Sequence, residues 1–315
     1  MENYKIQNVL MPTDFSELSS SAFKTAVAIC KRQNAQLTLL HVVEEIPNIP
    51  IDDLVSSPNN LIEELIETYS TRIVDMAKEL TLQTGIVITG KVERGNIADT
   101  ICSIAFEESY NLIVMGTHGT SGMREFFIGS NAFSVVKKAT CPVLTIPSNW
   151  GRIEFKKVIF PVRETIDVIA KYNLAKPIIN KNNSSIKVLS LYNADNDNVN
   201  KELTKLVDLL KEKLNEDKVS FSSVSLPPSK FPEQVLEHAT DFDADLIIIT
   251  ANLDYGFKAY FLGPYSQQLV NHSKIPVLSV KPKIDTIEKE EDQFTEIDSL
   301  MRKYGSSDPL APAFQ

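Results

Sequence analysis

Three features are scarce or missing in this sequence, and each absence excludes a class of protein. Cysteine occurs only three times in 315 residues, at Cys30, Cys102 and Cys141, each inside an apolar segment. An odd count without paired spacing excludes a disulfide-stapled fold and predicts buried, reduced thiols. No apolar run approaches the ~20 residues of a membrane span, and residues 1–7 lack the apolar core of a signal peptide. We therefore predict a cytoplasmic protein.

Positive charge is also in deficit, with 32 lysines and arginines against 41 acidic residues and a net charge of −9. General nucleic-acid binders and membrane-surface binders need a basic face, so neither partner is predicted. The 4 histidines are scattered without metal-ligand spacing, which gives no reason to expect a metal site built by the protein. The remaining composition, 43% apolar and 23% charged, is that of a globular protein with about two domains.

Strand-like apolar runs alternate with helix-like segments, and this alternation occurs twice. The alternation predicts right-handed crossovers and a parallel sheet with helices on both faces. Lys157–Pro161 repeats Asn8–Pro12 at an offset of 149, and Ile275–Val280 repeats Cys141–Ile146 at an offset of 134. We therefore predict a tandem duplication of one ~140-residue unit. The predicted domains are residues 1–149 and 150–283, followed by an acidic, partly helical and partly disordered tail at 284–315.

One stretch, residues 112–130, carries most of the chemistry. An apolar run ends at Gly116, and Gly119 and Gly129-Ser130 follow before a helix predicted over residues 131–140. Glycines admit a ligand close to the backbone, and a helix N-terminus offers unpaired N–H groups, with a serine hydroxyl beside them, to an anion. The pattern is typical of a nucleotide phosphate cradle. The alternative is a surface loop with turn glycines.

Several segments together resemble the universal stress protein family, over residues 5–147 in full and 155–282 in outline. These segments are Gly116-x2-Gly119-x9-Gly129-Ser130, Pro12-Thr13-Asp14, Leu39-Leu40-His41-Val42 and Cys141-Pro142-Val143-Leu144. The resemblance implies an α/β fold of two tandem Rossmann-like (adenine nucleotide alpha hydrolase-like) domains. Each would hold five parallel strands in the order 3-2-1-4-5, with helices on both faces. The fifth strands would pair, so that the chain forms an intramolecular pseudo-dimer. Whether two such chains also form a homodimer is left open by the sequence.

The resemblance also implies an ATP site in the first half. Asp14 would accept hydrogen bonds from ribose or adenine, and Val42 would meet adenine through its backbone, at the edge of the sheet where such folds bind ligands. Met115 and Gly116 would line the ribose. The alternatives are a helix cap for Asp14 and a plain strand-core residue for Val42.

The phosphates would lie against the glycine stretch of the same site. Gly119, Gly129, Ser130 and the Asn131 N–H would hold them. The remaining candidates are Pro12, Thr13, His118 and Arg124. His118 and Arg124 would otherwise be solvated loop side chains. ATP is the expected ligand, with ADP or AMP as alternatives, and Mg²⁺ would arrive bound to the nucleotide.

The second half departs from this pattern. Arg163 stands where the first half has Asp14, and an arginine cannot accept a hydrogen bond. At the offset of 134, the counterparts of Gly116, Gly119 and Ser130 are Thr250, Leu253 and Pro264, and only Gly263 is retained. We therefore predict one nucleotide per chain. The alternative is that Arg163 forms a different anion site.

These residues predict an ATP-binding regulatory or stress-response protein whose protein partner is unknown. Catalysis is not predicted, because the stretch after the first strand reads Pro-Thr-Asp-Phe-Ser-Glu, where adenylating relatives need Ser-Gly-Gly-x-Asp-Ser. A Walker-type lysine is also missing. Two alternatives are kept: a slow ATPase or adenylate-forming enzyme, and a scaffold that acts without nucleotide.

Overall fold

A computed structural model describes residues 4–15, 21–44, 58–117, 128–163, 168–191, 197–227, 230–251 and 264–281. The tail predicted at residues 284–315 lies outside this part of the chain. No helix of the described residues is both long and apolar enough to cross a membrane.

In the described part of the first half, five strands alternate with four helices. The strands are β1 (Asn8–Pro12), β2 (Gln36–Val43), β3 (Ile88–Arg94), β4 (Leu112–Gly116) and β5 (Val143–Ile146). The helices are α1 (Ser21–Gln33), α2 (Pro58–Thr84), α3 (Ile97–Glu107) and α4 (Ser130–Lys138). The apolar pattern predicts a third strand over Ile86–Val92, and β3 begins and ends two residues later. The helix predicted over 131–140 is α4, which begins one residue earlier and ends two residues earlier.

The second half repeats the order. Its strands are β6 (Lys157–Val162), β7 (Ser185–Leu191), β8 (Phe221–Leu226), β9 (Leu246–Thr250) and β10 (Val277–Val280). Its helices are α5 (Val168–Asn182), α6 (Asp197–Glu216), α7 (Phe231–Asp241) and α8 (Pro264–His272). The apolar pattern does not predict α5, because Pro177 interrupts it and proline ordinarily breaks a helix interior.

The ten strands named above form one sheet in the order β3-β2-β1-β4-β5-β10-β9-β6-β7-β8. Each half has the order 3-2-1-4-5, and the halves meet where β5 and β10 pair antiparallel. Leu144 lies opposite Leu278, its own counterpart at the offset of 134, so a local twofold relates the two halves at this point. The predicted fold and the pairing of fifth strands are confirmed.

The strand register confirms both offsets used to compare the halves. Pro12 pairs with Leu40, and Pro161 pairs with Leu189, which is the same pair moved by 149. Gly116 pairs with Ile146, and their counterparts at 134, Thr250 and Val280, pair in the same way. Position-by-position comparison of the two crevices is therefore justified by backbone pairing as well as by sequence.

Helices cover both faces of the sheet, and the core differs between the faces. On one face a single apolar cluster runs through both halves and includes Phe23 of α1, Ile73 of α2, Tyr172 of α5 and Leu210 of α6. On the other face each half has its own cluster, under α3 and α4 in the first half and under α7 and α8 in the second. The shared core and the continuous sheet join the halves into one unit.

Two glycines fix the position of α2. The sequence pattern predicts that Gly85 ends this helix, and Gly85 does follow its last residue with a φ of +74°, a left-handed conformation that glycine adopts at helix ends. Gly90, on β3, lies so close to α2 that an added Cβ would be 2.6 Å from the Ile73 carbonyl oxygen. The helix therefore rests directly on the strand backbone at this point.

Candidate functional site

The candidate site lies at the carboxyl edge of the sheet, between β1 and β4. These strands are neighbours, with Val9 opposite Leu112, and β1 pairs with β2 on its other side. After β1 the chain continues to α1 on one face, and after β4 it continues to α4 on the other. Open α/β sheets bind ligands in the crevice that forms at such a point.

The exit of β1 is held by three hydrogen bonds around Thr13. Its N–H donates to the Leu40 carbonyl (2.8 Å), and its hydroxyl accepts from the Phe15 N–H (3.0 Å). Its carbonyl lies 2.9 Å from the Nδ1 atom of His41, which must carry the proton because a carbonyl can only accept. Asp14 is fixed between these anchored neighbours and is exposed at the edge. Pro12 is the last residue of β1, half-buried beneath them.

The next residue, Phe15, adopts an unusual backbone conformation. Its φ of +69° is left-handed, which costs a residue with a Cβ roughly 1–2 kcal/mol. The ring stacks on Tyr69 at 5.5 Å between centroids, contacts His41 at 4.6 Å and lies under the Arg72 guanidinium at 4.3 Å. These contacts offset the strain and hold the turn that carries Asp14.

The Val42 backbone is directed toward the same crevice. In a parallel ladder the N–H and C=O of alternate residues point to alternate sides. Leu40 uses its carbonyl toward β1, whereas the Val43 carbonyl accepts from Gly95 on the β3 side. Val42 therefore faces β1, and it lies two residues beyond Leu40, the last residue of β2 that pairs with β1. The Thr13 carbonyl, which would continue the ladder to Val42, is bound by the His41 ring instead.

The other wall is formed by the end of β4 and the start of α4. The Thr117 N–H donates to Ile146 (3.0 Å), and the Thr117 carbonyl accepts from Gly129 (2.6 Å). A Cβ added at Gly129 would be 3.3 Å from that oxygen, so the backbones are close. The prediction that Gly129 offers an unpaired N–H is wrong, because this bond uses it.

N–H groups without an acceptor inside the helix nonetheless remain at this helix start. The first intrahelical bond runs from Phe133 to the Gly129 carbonyl (3.0 Å), and Gly129, the N-cap residue, supplies no side-chain cap. The N–H groups of Ser130, Asn131 and Ala132 therefore have no acceptor within the helix, as in every α-helix. Ser130 and Asn131 are exposed. The positive end of the α4 dipole lies here, and Lys137 and Lys138 lie at the opposite end.

The remaining predicted residues have different outcomes. Met115 is only 7% exposed and packs in the apolar cluster under α3 and α4, while Gly116 is half-buried at the end of β4. His118, Gly119 and Arg124 lie outside the described residues. Among those described, no group of three or more His, Cys, Asp and Glu side chains is arranged to hold a metal ion.

Sequence reasoning missed His41 as a residue of this site and treated it as a strand residue only. It does lie on β2, but its ring also fixes the exit of β1. Its place follows from the strand register: Pro12 lies opposite Leu40, so the next residues, Thr13 and His41, lie beside each other at the β1 exit.

Comparison with known proteins decides the family. The universal stress protein family profile matches residues 5–147 and again 182–281. This chain belongs to the universal stress protein family. The universal stress protein YxiE of Bacillus subtilis is 32% identical over 143 residues, which cover 44% of this chain and 97% of that protein. A universal stress protein of Methanocaldococcus jannaschii is 31% identical over 140 residues, covering 44% and 81%.

A solved structure has the same tandem extent. The crystal structure of a universal stress protein from Archaeoglobus fulgidus superposes with a TM-score of 0.67 at 17% identity. The match covers 90% of this chain and 98% of that one. At this identity the likeness concerns the fold, and it extends over both halves of the present universal stress protein.

The crevice of the second half of this universal stress protein is built differently. Arg163 occupies the position of Asp14, and its guanidinium lies 4.4 Å from the centre of the Tyr265 ring. Tyr265 stands where the first half has Asn131 and stacks on Phe231 at 5.3 Å. Pro264 begins α8, a position that suits a residue without an N–H, and Leu253 lies outside the described residues. Side chains thus fill space that the first half leaves to backbone and small residues.

Proposed function

We propose that the first half of this universal stress protein binds ATP, and that the chain acts as a nucleotide-dependent regulator in a stress response. Asp14 accepts hydrogen bonds from the ribose or the adenine edge, and the Val42 backbone meets the base. Met115 and Gly116 form the floor beneath the ribose. Ser130, Asn131, Gly119 and Gly129 surround the phosphates, with His118 and Arg124 beside them. ADP or AMP would occupy the same place, and Mg²⁺ would be carried by the phosphates.

The observation that carries this proposal is the pairing of opposite polarities across one crevice. A carboxylate, Asp14, stands on the β1 side, where neutral hydroxyl and amine donors of a nucleoside can be bound. The uncapped start of α4 stands on the β4 side, where the N–H groups of Ser130 and Asn131 and the helix dipole favour an anion. A nucleotide has its donors and its anionic groups at opposite ends, which matches this order.

The regulatory part of the proposal rests on where the ends of the glycine stretch lie. Thr117 and Ile128 line a cleft of about 190 Å³ together with Pro147–Asn149 and the end of α8, Val270–Lys274. A rearrangement of the intervening residues on nucleotide binding would therefore reach the second half. Only contacts that differ between the bound and free states can drive such a change.

The test uses the full chain and a matched pair of variants. Gly129→Asp places a carboxylate at the N-cap of α4, a residue type that N-caps prefer, so the helix should form. That carboxylate competes with phosphates for the same N–H groups. We expect MgATP affinity, measured by calorimetry, to fall at least about tenfold. Gly263→Asp, at the equivalent position of the second half, is the control and should leave the affinity unchanged.

Two results would count against the proposal. Equal MgATP affinity in Gly129→Asp and the parent chain would show that the site is elsewhere. Steady phosphate release that Asp14→Ala abolishes would favour a slow ATPase over a binding protein. Nucleotide released from the purified chain by heat, and resolved by anion exchange, would identify the species carried.

A further inference from the structure

The second half has two cations where the first half has a carboxylate and an alanine. Arg163 is the register counterpart of Asp14, and Lys171, on α5, is the counterpart of Ala22 on α1. Ala22 is an ordinary core residue at 2% exposure, but Lys171 is equally buried at 4%. The second half thus buries a lysine at a position where the first half folds with an alanine.

Lys171 has few partners for a buried ammonium. Its Nζ atom donates to the Pro161 carbonyl at 2.6 Å and lies 4.1 Å from the centre of the Phe160 ring. An ammonium has three donors, and no carboxylate of the described residues pairs with it. Burial, and then the neighbouring charge of Arg163, lower the pKa of Lys171 to about 7. An uncompensated buried charge of this kind is costly.

Tyr265 supports Arg163 and carries a polar group of its own. Its hydroxyl oxygen is buried and forms no hydrogen bond with any residue that the structure describes. Burial raises the pKa of Tyr265, so the hydroxyl keeps its proton and remains a donor. Its ring lies directly beneath the Arg163 guanidinium, and no carboxylate of the described part of the chain pairs with that guanidinium. Buried polar groups left unpaired in a native structure are uncommon, and an unseen water or ion is one explanation.

We propose that the carboxyl end of β6 is a second binding site, for a small oxyanion, built by Arg163 and Lys171, with Tyr265 stacked beneath the Arg163 guanidinium. Both cations are donors only, which is the opposite of the carboxylate at Asp14. An oxyanion bound here would compensate two like charges. The site is independent of the nucleotide site, and it gives the duplicated half a ligand of its own.

Sulfate is the probe, because it stays a dianion over the pH range in which Lys171 loses its proton. The full chain carrying Gly129→Asp is titrated calorimetrically with sodium sulfate against sodium chloride at equal ionic strength. The substitution blocks the first-half phosphate position, so that a signal reports the second half whether or not the first half binds ATP. We expect saturable binding of one sulfate per chain. Arg163→Gln should weaken it at least about tenfold.

The control for net charge is Arg94→Gln, which removes one exposed arginine at the carboxyl end of β3, on the opposite edge of the sheet because β5 and β10 pair antiparallel. It should change the sulfate Kd by less than about twofold, since exposed and distant charges are screened. The proposal is overturned if the chain shows no saturable sulfate binding, or if Arg94→Gln and Arg163→Gln weaken binding equally.

A pH series separates participation of Lys171 from a structural role. The charged ammonium is the form of Lys171 that binds an anion. Among the groups around it, Arg163 is charged, whereas Phe160 and Pro161 are not. Sulfate affinity should therefore fall several-fold between pH 6 and pH 9. Lys171→Met should remove this pH dependence. A pH profile that persists in Lys171→Met would also overturn the proposal.

Discussion

The Nδ1 atom of His41 lies 2.9 Å from the carbonyl oxygen of Thr13, a residue 28 positions earlier on the neighbouring strand. This bond occupies the Thr13 carbonyl, which would otherwise continue the β1–β2 ladder to Val42, and so leaves the Val42 backbone facing the crevice. It also fixes the residue that precedes Asp14. One side-chain contact thus positions both proposed contacts to the nucleoside, although His41 itself is not proposed to touch the ligand.

His41→Phe tests this positioning. The substitution keeps a ring beside Phe15 and Tyr69 but removes the donor to Thr13. We expect the free energy of unfolding in urea to fall by about 1 kcal/mol, the worth of one hydrogen bond. We expect MgATP to bind several-fold more weakly. Ser190→Ala changes the equivalent position on β7 and should leave the nucleotide affinity as it is. If His41→Phe loses stability without losing affinity, the histidine has only a structural role.

Gly90→Ala tests the close approach of α2 to β3. The new Cβ would lie 2.6 Å from the Ile73 carbonyl oxygen, a backbone atom that cannot swing away. The helix must shift, and we expect a loss of about 1–3 kcal/mol in the free energy of unfolding. Gly151→Ala is the matched control, because nothing lies within 4 Å of its added Cβ. Similar urea midpoints for both variants would contradict the packing described for α2.

The sequence predicted the regular features of this fold well, because they depend on local pattern. Apolar strands, the turn at Gly85 and the two offsets could be read directly, and the strand register confirms them. The helix α5 could not be predicted from the apolar pattern, because Pro177 lowers the helix propensity of this segment. Its formation depends on tertiary packing, in which α5 contributes Tyr172 and Ile179 to the shared core.

The candidate site was predictable in position but less so in detail. Asp14, Val42 and Ser130 could be placed at one edge because parallel strands share that edge. The bond between Gly129 and Thr117, which uses a donor expected to be free, depends on how the chain returns to the sheet. The stacking of Arg163, Tyr265 and Phe231 joins three separate elements, and no periodicity in the sequence encodes such a meeting.

The three thiols should be unreactive in the folded chain. The sequence predicted buried cysteines, and Cys30 is buried, whereas Cys102 and Cys141 are only partly so. Burial nonetheless raises the pKa of Cys30 to about 12, of Cys102 to about 11 and of Cys141 to about 12. Since the thiolate is the reactive form, iodoacetamide at pH 8 should label the native chain at least ~100-fold more slowly than the urea-unfolded chain. Mass spectrometry gives the rate per residue, and a thiol that reacts equally fast in both states would contradict this prediction.

Because Lys171 is buried, we expect the free energy of unfolding to depend on pH. Its pKa is lowered from 10.5 to about 7 by burial and by Arg163, so the folded state loses this proton more easily than the unfolded state. Between about pH 7 and pH 10.5 the unfolded state holds the proton that the folded state has lost, and the contribution of Lys171 to stability therefore rises with pH. The cost of burying the charged ammonium is fully present below pH 7.

Lys171→Met removes this cost, so at pH 6 the free energy of unfolding of the variant should exceed that of the parent by about 1 kcal/mol or more. That advantage should narrow by pH 9. Lys181→Met, an exposed position on the same helix, should show a difference from the parent that does not change with pH. A Lys171→Met difference that is equal at pH 6 and pH 9 would mean that the ammonium is not buried as described.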